Sequence, residues 1–330
     1  VTRNQDMGRR AAAVLCVTAA LLGPGNPAGA SAGPPRGPGA LVYVADLDSD
    51  TVSVVDARTG RVVDAVPVGH GPDSVAVGPD GSRAYVTDSA ADTVSVIDTR
   101  TRTVVATVPG GDEPSRVTVS PDGRRVYVAD VRSDDVSVID ARTLTVTDTI
   151  AVGDAPLGVA VTPDGRTLYV ADAGSGTVSV VRTDTGRVTG TIRVGAGPTA
   201  LVLTPDGRSL YVSNLSSDDV SVVDLRRGVE TDRIPVGDRP AGIGVRPDGR
   251  EVYVADIGSD AVSVIRTAAR AVTATVAVGH GPNGLAVARD GSRVYVSDFD
   301  SDTLSVVDTT THRVRATVPV GAGPTGVAVS

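Results

Sequence analysis

The sequence predicts an all-β, seven-bladed β-propeller with four antiparallel strands per blade, closed by a C-terminal strand at 325–329 that joins the first blade beside 41–45. Three observations predict it. All seven tyrosines of the 330-residue chain fall at 43, 85, 127, 169, 211, 253 and 295, a constant spacing of 42 with no insertion. Each interval carries four short runs rich in Val, Ile and Thr, too brief for helices and of strand length. Seven such units occupy 37–330 and stop after Val327-Ala328-Val329, one strand short of the phrase that begins at 41. The last strand therefore completes the first sheet and leaves no free edge there.

Each unit opens with a tyrosine strand, Leu-Val-Tyr-Val-Ala-Asp at 41–46 in the first copy, followed by an Asp/Ser-rich turn and a Val-Ser-Val-Val/Ile strand. A second turn leads to an Ala-Thr-Val-Pro-Val-Gly-like strand, and after a proline comes a short Val-Ala-Val strand, which is innermost. Neighbouring sheets converge near the axis, and one position of that strand reads Ala76, Thr118, Ala160, Val202, Gly244, Ala286 and Ala328. A bulky residue there is expected to force blades apart, at a cost of roughly 1–3 kcal/mol. Pro-Asp-Gly at 79–81, 121–123, 163–165, 205–207 and 247–249 closes the hairpin to the next tyrosine strand, proline presetting φ and glycine taking a left-handed position. The sixth copy has Arg289 in place of proline and keeps Asp290-Gly291. Ser53, Ser95, Ser137, Ser179, Ser221, Ser263 and Ser305 recur in every unit and read as strand packing.

Residues 1–32 stand outside the repeat. Arg9-Arg10, an apolar run from Ala11 to Leu22, and small-x-small triplets ending at 30 and 32 read as a secretory signal peptide cleaved near one of them. A flexible Gly/Pro-rich lead-in follows at 33–40, and the propeller occupies 41–330 as one domain. Cys16, the one cysteine, lies within the leader, so the mature chain is expected to hold together by packing and strand pairing without disulfides. The formal charge of −8 becomes −10 once the leader's three arginines and one aspartate are removed, which disfavours nucleic acid as a partner. No apolar stretch is long enough for a transmembrane helix.

The tyrosine phrase, the Val-Ser-Val-Ile/Val-Asp strand, the Val-Gly-x-x-Pro turn and Pro-Asp-Gly at this period resemble the YVTN-repeat family of β-propellers over residues 37–330. The resemblance implies a seven-bladed propeller, often exported and sometimes surface-associated. Members and neighbours of that family include surface-layer proteins, lactonase-like enzymes and cytochrome-associated propellers, so the resemblance implies no single activity.

Repetition supplies an internal control: a residue present in every unit builds the blade, whereas a site for one ligand must break the symmetry. Connectivity places the turn after each tyrosine strand and the turn before each innermost strand on one face, here called the upper. That face is rich in aspartate, which caps tight turns and keeps an exported ring soluble. Asp46-x-Asp48-x-Asp50 and Asp298-x-Asp300-x-Asp302, neighbours across the closure seam, resemble the start of a calcium loop and are weak calcium candidates. Both lack the glycine at the sixth place and the glutamate at the twelfth, so neither is an EF-hand.

The turns before the innermost strands are less regular. The position two residues before each turn proline reads His70, Asp112, Asp154, Ala196, Asp238, His280 and Ala322, and the next includes Glu113 and Arg239. Arg116 stands where other blades have Ser, Gly or Ala, near Asp112 and Glu113, as a rim salt bridge or an anion clamp at the channel mouth. His312 lies on the opposite face, with no obvious acid beside it. The mature chain has no cysteine nucleophile, no Gly-x-Ser-x-Gly elbow and no haem-attachment run. The expectation is a secreted, monomeric scaffold, extracellular with cell-surface association as a variant, that binds a protein or small-molecule ligand on its acidic upper face and channel mouth, without an obligatory cofactor. The alternatives are a metal-assisted lactonase- or lyase-like enzyme, its cation held in the funnel by Asp112, Glu113, Asp154 and the two histidines, and a cell-envelope or surface-layer component.

Overall fold

The computed structural model describes residues 40–330. The leader at 1–32 and all of the 33–40 lead-in except Ala40 lie outside the described residues. Seven four-stranded antiparallel sheets follow one another around the ring. Blade 1 is built from Leu41–Asp46, Thr51–Asp56 and Arg61–Pro67, with the C-terminal Pro324–Val329 as its innermost strand. Blade 2 comprises Pro72–Val77, Arg83–Asp88, Thr93–Asp98 and Thr103–Pro109, and blades 3 to 7 repeat this order every 42 residues. The seam is made by Val42↔Val329, Tyr43↔Ala328 and Val44↔Val327, with the Ser330 hydroxyl accepting from the Leu41 amide at 2.9 Å.

The core lies between blades. Seven apolar clusters each contain one tyrosine, and each joins two neighbours: Tyr43, Val52, Val54 and Val66 of blade 1 pack on Val75, Ala84, Val86 and Ile97 of blade 2. The cluster around Tyr295 crosses the seam to Val42, Val44 and Val55. The small-residue series has a specific cause, since each member is the cross-strand partner of a tyrosine: Ala76 faces Tyr85, Thr118 faces Tyr127 and Gly244 faces Tyr253. The large ring occupies the space that a second large side chain would need. In every blade the pairing of the two outer strands slips by one residue at the same place, Val54/Val55 in blade 1 and Val96/Ile97 in blade 2.

On the lower face, three of the seven tyrosine strands begin with an arginine that reaches over the next blade to a backbone carbonyl 58 residues on around the ring. Arg83 donates to the Ala141 carbonyl and Arg125 to that of Thr183, while Arg293 reaches across the seam to Ala57. The closing junction thus carries the same clamp as the junctions of blades 2 with 3 and 3 with 4.

Candidate functional site

The upper-face aspartates divide into two sets by position. Those ending the tyrosine strands, Asp46, Asp88, Asp130, Asp172, Asp256 and Asp298, are fully buried. Each accepts a hydrogen bond from the serine seven residues later at 2.6–2.8 Å. The recurrent serines are therefore hydrogen-bond donors to a buried carboxyl, which corrects their reading as strand packing alone. These six aspartates also add nothing to an acidic surface. Burial pushes Asp46, Asp130 and Asp256 up to about 6.

The second set closes the turns. Asp50, Asp92, Asp134, Asp218, Asp260 and Asp302 adopt left-handed φ of 50–57°. Each accepts the backbone amide of the turn before the neighbouring innermost strand, at 2.8–2.9 Å. The calcium candidates consequently part company: Asp46 and Asp298 turn inward to serines, Asp50 and Asp302 staple backbone, and Asp48 and Asp300 stand exposed beside Gly323 and Gly281. Among the described residues no three His, Cys, Asp or Glu side chains come together as a metal site. The cation set of Asp112, Glu113, Asp154, His70 and His280 is likewise not assembled: Asp112 and Glu113 share one turn, and Asp154, His70 and His280 each sit in another.

Two of the turn staples carry a histidine. Nδ1 of His70 lies 2.8 Å from Asp50 Oδ2, and Nδ1 of His280 lies 2.8 Å from Asp260 Oδ2, while 81% and 77% of the two histidine side chains remain exposed. The backbone amides of Gly71 and Gly281 and the two imidazoles hold both carboxyls below the usual range. The Asp260 hydrogen bond in turn raises His280. Each pair has the carboxylate–imidazole form that fixes one tautomer and leaves Nε2 outward. The two pairs occupy turns two blades apart, with Ala322 in the turn between.

The rest of the predicted rim is less connected. Glu113 is taken by Arg132, Nε to Oε2 at 2.6 Å, and not by Arg116. Arg116 is half-buried on the innermost strand Pro114–Val119 and makes no hydrogen bond or ion pair among the described residues, which corrects the expected contact with Asp112 and Glu113. Its place is permitted by local spacing. At the equivalent Gly242, Gly284 and Gly326 an added Cβ would stand 2.0–2.6 Å from the next blade's backbone. The Asp112, Asp154 and Asp238 amides donate to serine hydroxyls at 2.8–2.9 Å, leaving these residues exposed on the rim, and Arg239 donates its amide to Asp218.

A constellation on the lower face was not foreseen. His312 Nε2 lies 3.5 Å from Oε1 of the buried Glu251, whose Oε2 accepts from Tyr253 at 2.7 Å and from Arg246 at 3.2 Å. Burial works to raise Glu251, and Tyr253, Arg246 and His312 outweigh it, so its carboxyl lies below the usual range. Glu251 occupies the place of the clamp arginines, with Arg83 and Arg293 at the equivalent positions. That charge reversal was the available signal. Polar clefts of about 460, 520 and 360 Å³ also open between blades on this face.

A model of the family described as "Lactonase, 7-bladed beta-propeller" matches residues 35–196 and 195–329. The chain belongs to this lactonase family. No curated protein sequence matches it. Among solved structures it is similar to hydrazine synthase of Kuenenia stuttgartiensis, at 26% identity and a TM-score of 0.74 over 81% of this chain and 92% of that one. It is also similar to a proposed 6-phosphogluconolactonase of Bacteroides fragilis, at 17% identity and 0.77 over 90% and 100%. A Desulfotomaculum acetoxidans protein of unknown function matches at 18% and 0.78 over 88% and 98%. Membership of a lactonase family overturns the expected role as a secreted binding scaffold and favours the enzyme alternative. No helix among the described residues is long and apolar enough to cross a membrane.

Proposed function

We propose that this protein is a lactonase that opens a lactone ring by hydrolysis on its upper face, and that its repeats are of the YVTN type. The carrying observation is the family match, which spans the whole ring. The Asp50–His70 and Asp260–His280 pairs supply the chemistry that such a reaction needs. An outward Nε2 takes a proton from water as the water oxygen bonds to the lactone carbonyl carbon. The tetrahedral intermediate carries its charge on the former carbonyl oxygen, and Arg116, on the innermost strand of blade 3 with no partner among the described residues, is the cation proposed to meet it. The ring C–O bond then breaks, and the departing alkoxide takes the proton back from the imidazolium, giving a hydroxy acid. The aspartates hold the tautomer and stabilise the imidazolium. No metal step is derived, since the rim carboxylates do not converge. The leader at 1–32 suits a substrate met outside the cytoplasm.

Acid release from γ- and δ-lactones, sugar lactones included, tests the reading in a pH-stat. The wild-type chain is expected to exceed buffer hydrolysis, the His70→Gln/His280→Gln double variant to lose at least tenfold in kcat/KM, and Arg116→Ala to lose kcat. A wild-type rate equal to background on every lactone would sink the activity. A full rate in the double variant would move the site elsewhere.

A further inference from the structure

The cleft between blades 2 and 3 on the lower face is lined unlike the equivalent positions at the other junctions. It has a volume of about 460 Å³ and is walled by the Gly78–Ser82 turn, Tyr85, Val119 and the two lower turns of blade 3. Arg83, Arg124 and Arg142 line it. Around the ring, the same three positions read Leu41, Ser82, Arg100; Arg125, Arg166, Asp184; Thr167, Arg208, Arg226; Ser209, Arg250, Ala268; Glu251, Ser292, Thr310; and Arg293, Ala40, Arg58. No other junction has arginine at all three. In a repeat of this regularity, such a concentration in one concave place marks a site for one ligand, since a structural need would recur.

The cleft also contains Asp80, Asp122 and Asp140, and their hydrogen bonding decides its character. Asp80 accepts the Ser82 amide and hydroxyl at 2.9 and 2.8 Å. Asp122 accepts the Ser120 hydroxyl and the Arg124 amide at 2.6 and 3.1 Å, and Asp140 accepts the Arg142 and Thr143 amides at 2.9 and 2.8 Å. All three carboxylates serve their own turns, and these bonds, with a smaller pull from the charges of Arg83, Arg124 and Arg142, hold their pKa values below the usual range. None lies within ion-pair distance of the three guanidinium groups among the described residues. Arg83 is half-buried and anchored by its bond to the Ala141 carbonyl, while the exposed Arg124 and Arg142 side chains make no hydrogen bond among the described residues. One fork held by its backbone bond and two adaptable ones thus line the cavity, Arg124 standing at the border with the next cleft, an arrangement that suits the paired oxygens of phosphate or carboxylate.

We propose that this cleft binds a small polyanion bearing phosphate or several carboxylate groups, through Arg83, Arg124 and Arg142. The site is separate from the upper-face histidines, so its occupancy does not depend on the lactonase reading. The volume admits a molecule of metabolite size, with Tyr85 and Val119 forming the floor.

Calorimetric titration of the full chain with pyrophosphate and with citrate at low salt tests this. One saturable site is expected, weakened severalfold by 0.3 M NaCl. Arg124→Ser/Arg142→Ser should weaken it at least tenfold with unchanged thermal midpoint, since neither side chain supports the fold. Arg208→Ser/Arg226→Ser, the matching pair at the junction of blades 4 and 5, should bind as wild type. Absence of saturable binding for both probes, wild-type affinity in the first variant, or equal loss in the second would each overturn the proposal. Preference for pyrophosphate over citrate, or the reverse, identifies which oxyanion the cleft takes.

Discussion

Asp130 and Asp135 face each other as cross-strand partners in blade 3, and each has a buried carboxylate oxygen with no hydrogen bond. Burial raises both groups, and the charge of Asp135 adds to the shift of Asp130. Blade 5 shows the remedy: the corresponding residues are Asn214 and Asp219, and Asn214 Nδ2 donates to Asp219 at 2.7 Å and to Ser221 at 2.8 Å. Asp130→Asn should set an amide donor against Asp135 in the same way, although blade 3 has Val146 where Glu230 accepts from Ser221, and stabilise the protein at pH 7.5 by on the order of 1–3 kcal/mol, read as a higher denaturation midpoint. The same chemistry sets the pH response. With Asp46, Asp130 and Asp256 at about 6, against about 3.9 for an unfolded aspartate, the native chain keeps protons that the unfolded chain has released between pH 4 and 6. Stability therefore rises as pH falls through that window. Below it, turn aspartates with depressed pKa values, such as Asp56 and Asp98, lose their hydrogen-bond advantage and reverse the trend. Calorimetric melting should peak near pH 4–5.5, and a midpoint that falls steadily from pH 7 to 5 would contradict the assignment.

Strand by strand, the limiting contacts are where innermost strands approach one another. A Cβ on Gly284 would lie 2.0 Å from the Thr325 carbonyl oxygen, which also accepts from the Ser297 hydroxyl. Gly284→Ala should cost about 1–3 kcal/mol or more in denaturant titration, as overpacking against backbone that cannot yield. Arg116→Gly should be far milder, because the chain already accommodates a long side chain there. This contrast also shows what the sequence could convey. The small-residue series was legible from its period, but its cause, a tyrosine opposite each member, needed the strand register. The Asp-to-Ser interval of seven residues was likewise printed in every blade but the fifth. Nothing in composition said which of Asp46, Asp48 and Asp50 turns inward, so all were assigned to the surface. Symmetry-breaking residues could be found by alignment of the repeats, which singled out Arg116 and the histidines. Pairing His312 with Glu251 required knowing that lower-face positions 61 residues apart meet across adjacent blades, as the arginines and their carbonyls do at 58.

At the scale of the ring, architecture was readable in advance because count, period and the missing strand all pointed one way. Function was not, because a scaffold repeated seven times says little about the one place where it is used. The seam has the same cross-strand register and apolar cluster as the interior junctions and shares its arginine clamp with two of them, and Ser330 and Leu41 exchange hydrogen bonds in both directions. A circular permutant joining 330 to 41 by a short linker and opening at Asp206-Gly207 should melt within a few degrees of the parent and retain its activity. A permutant that fails to fold would show that the original ends contribute something beyond pairing. Which loop of the ring holds the break in the backbone is then of little consequence to the folded state.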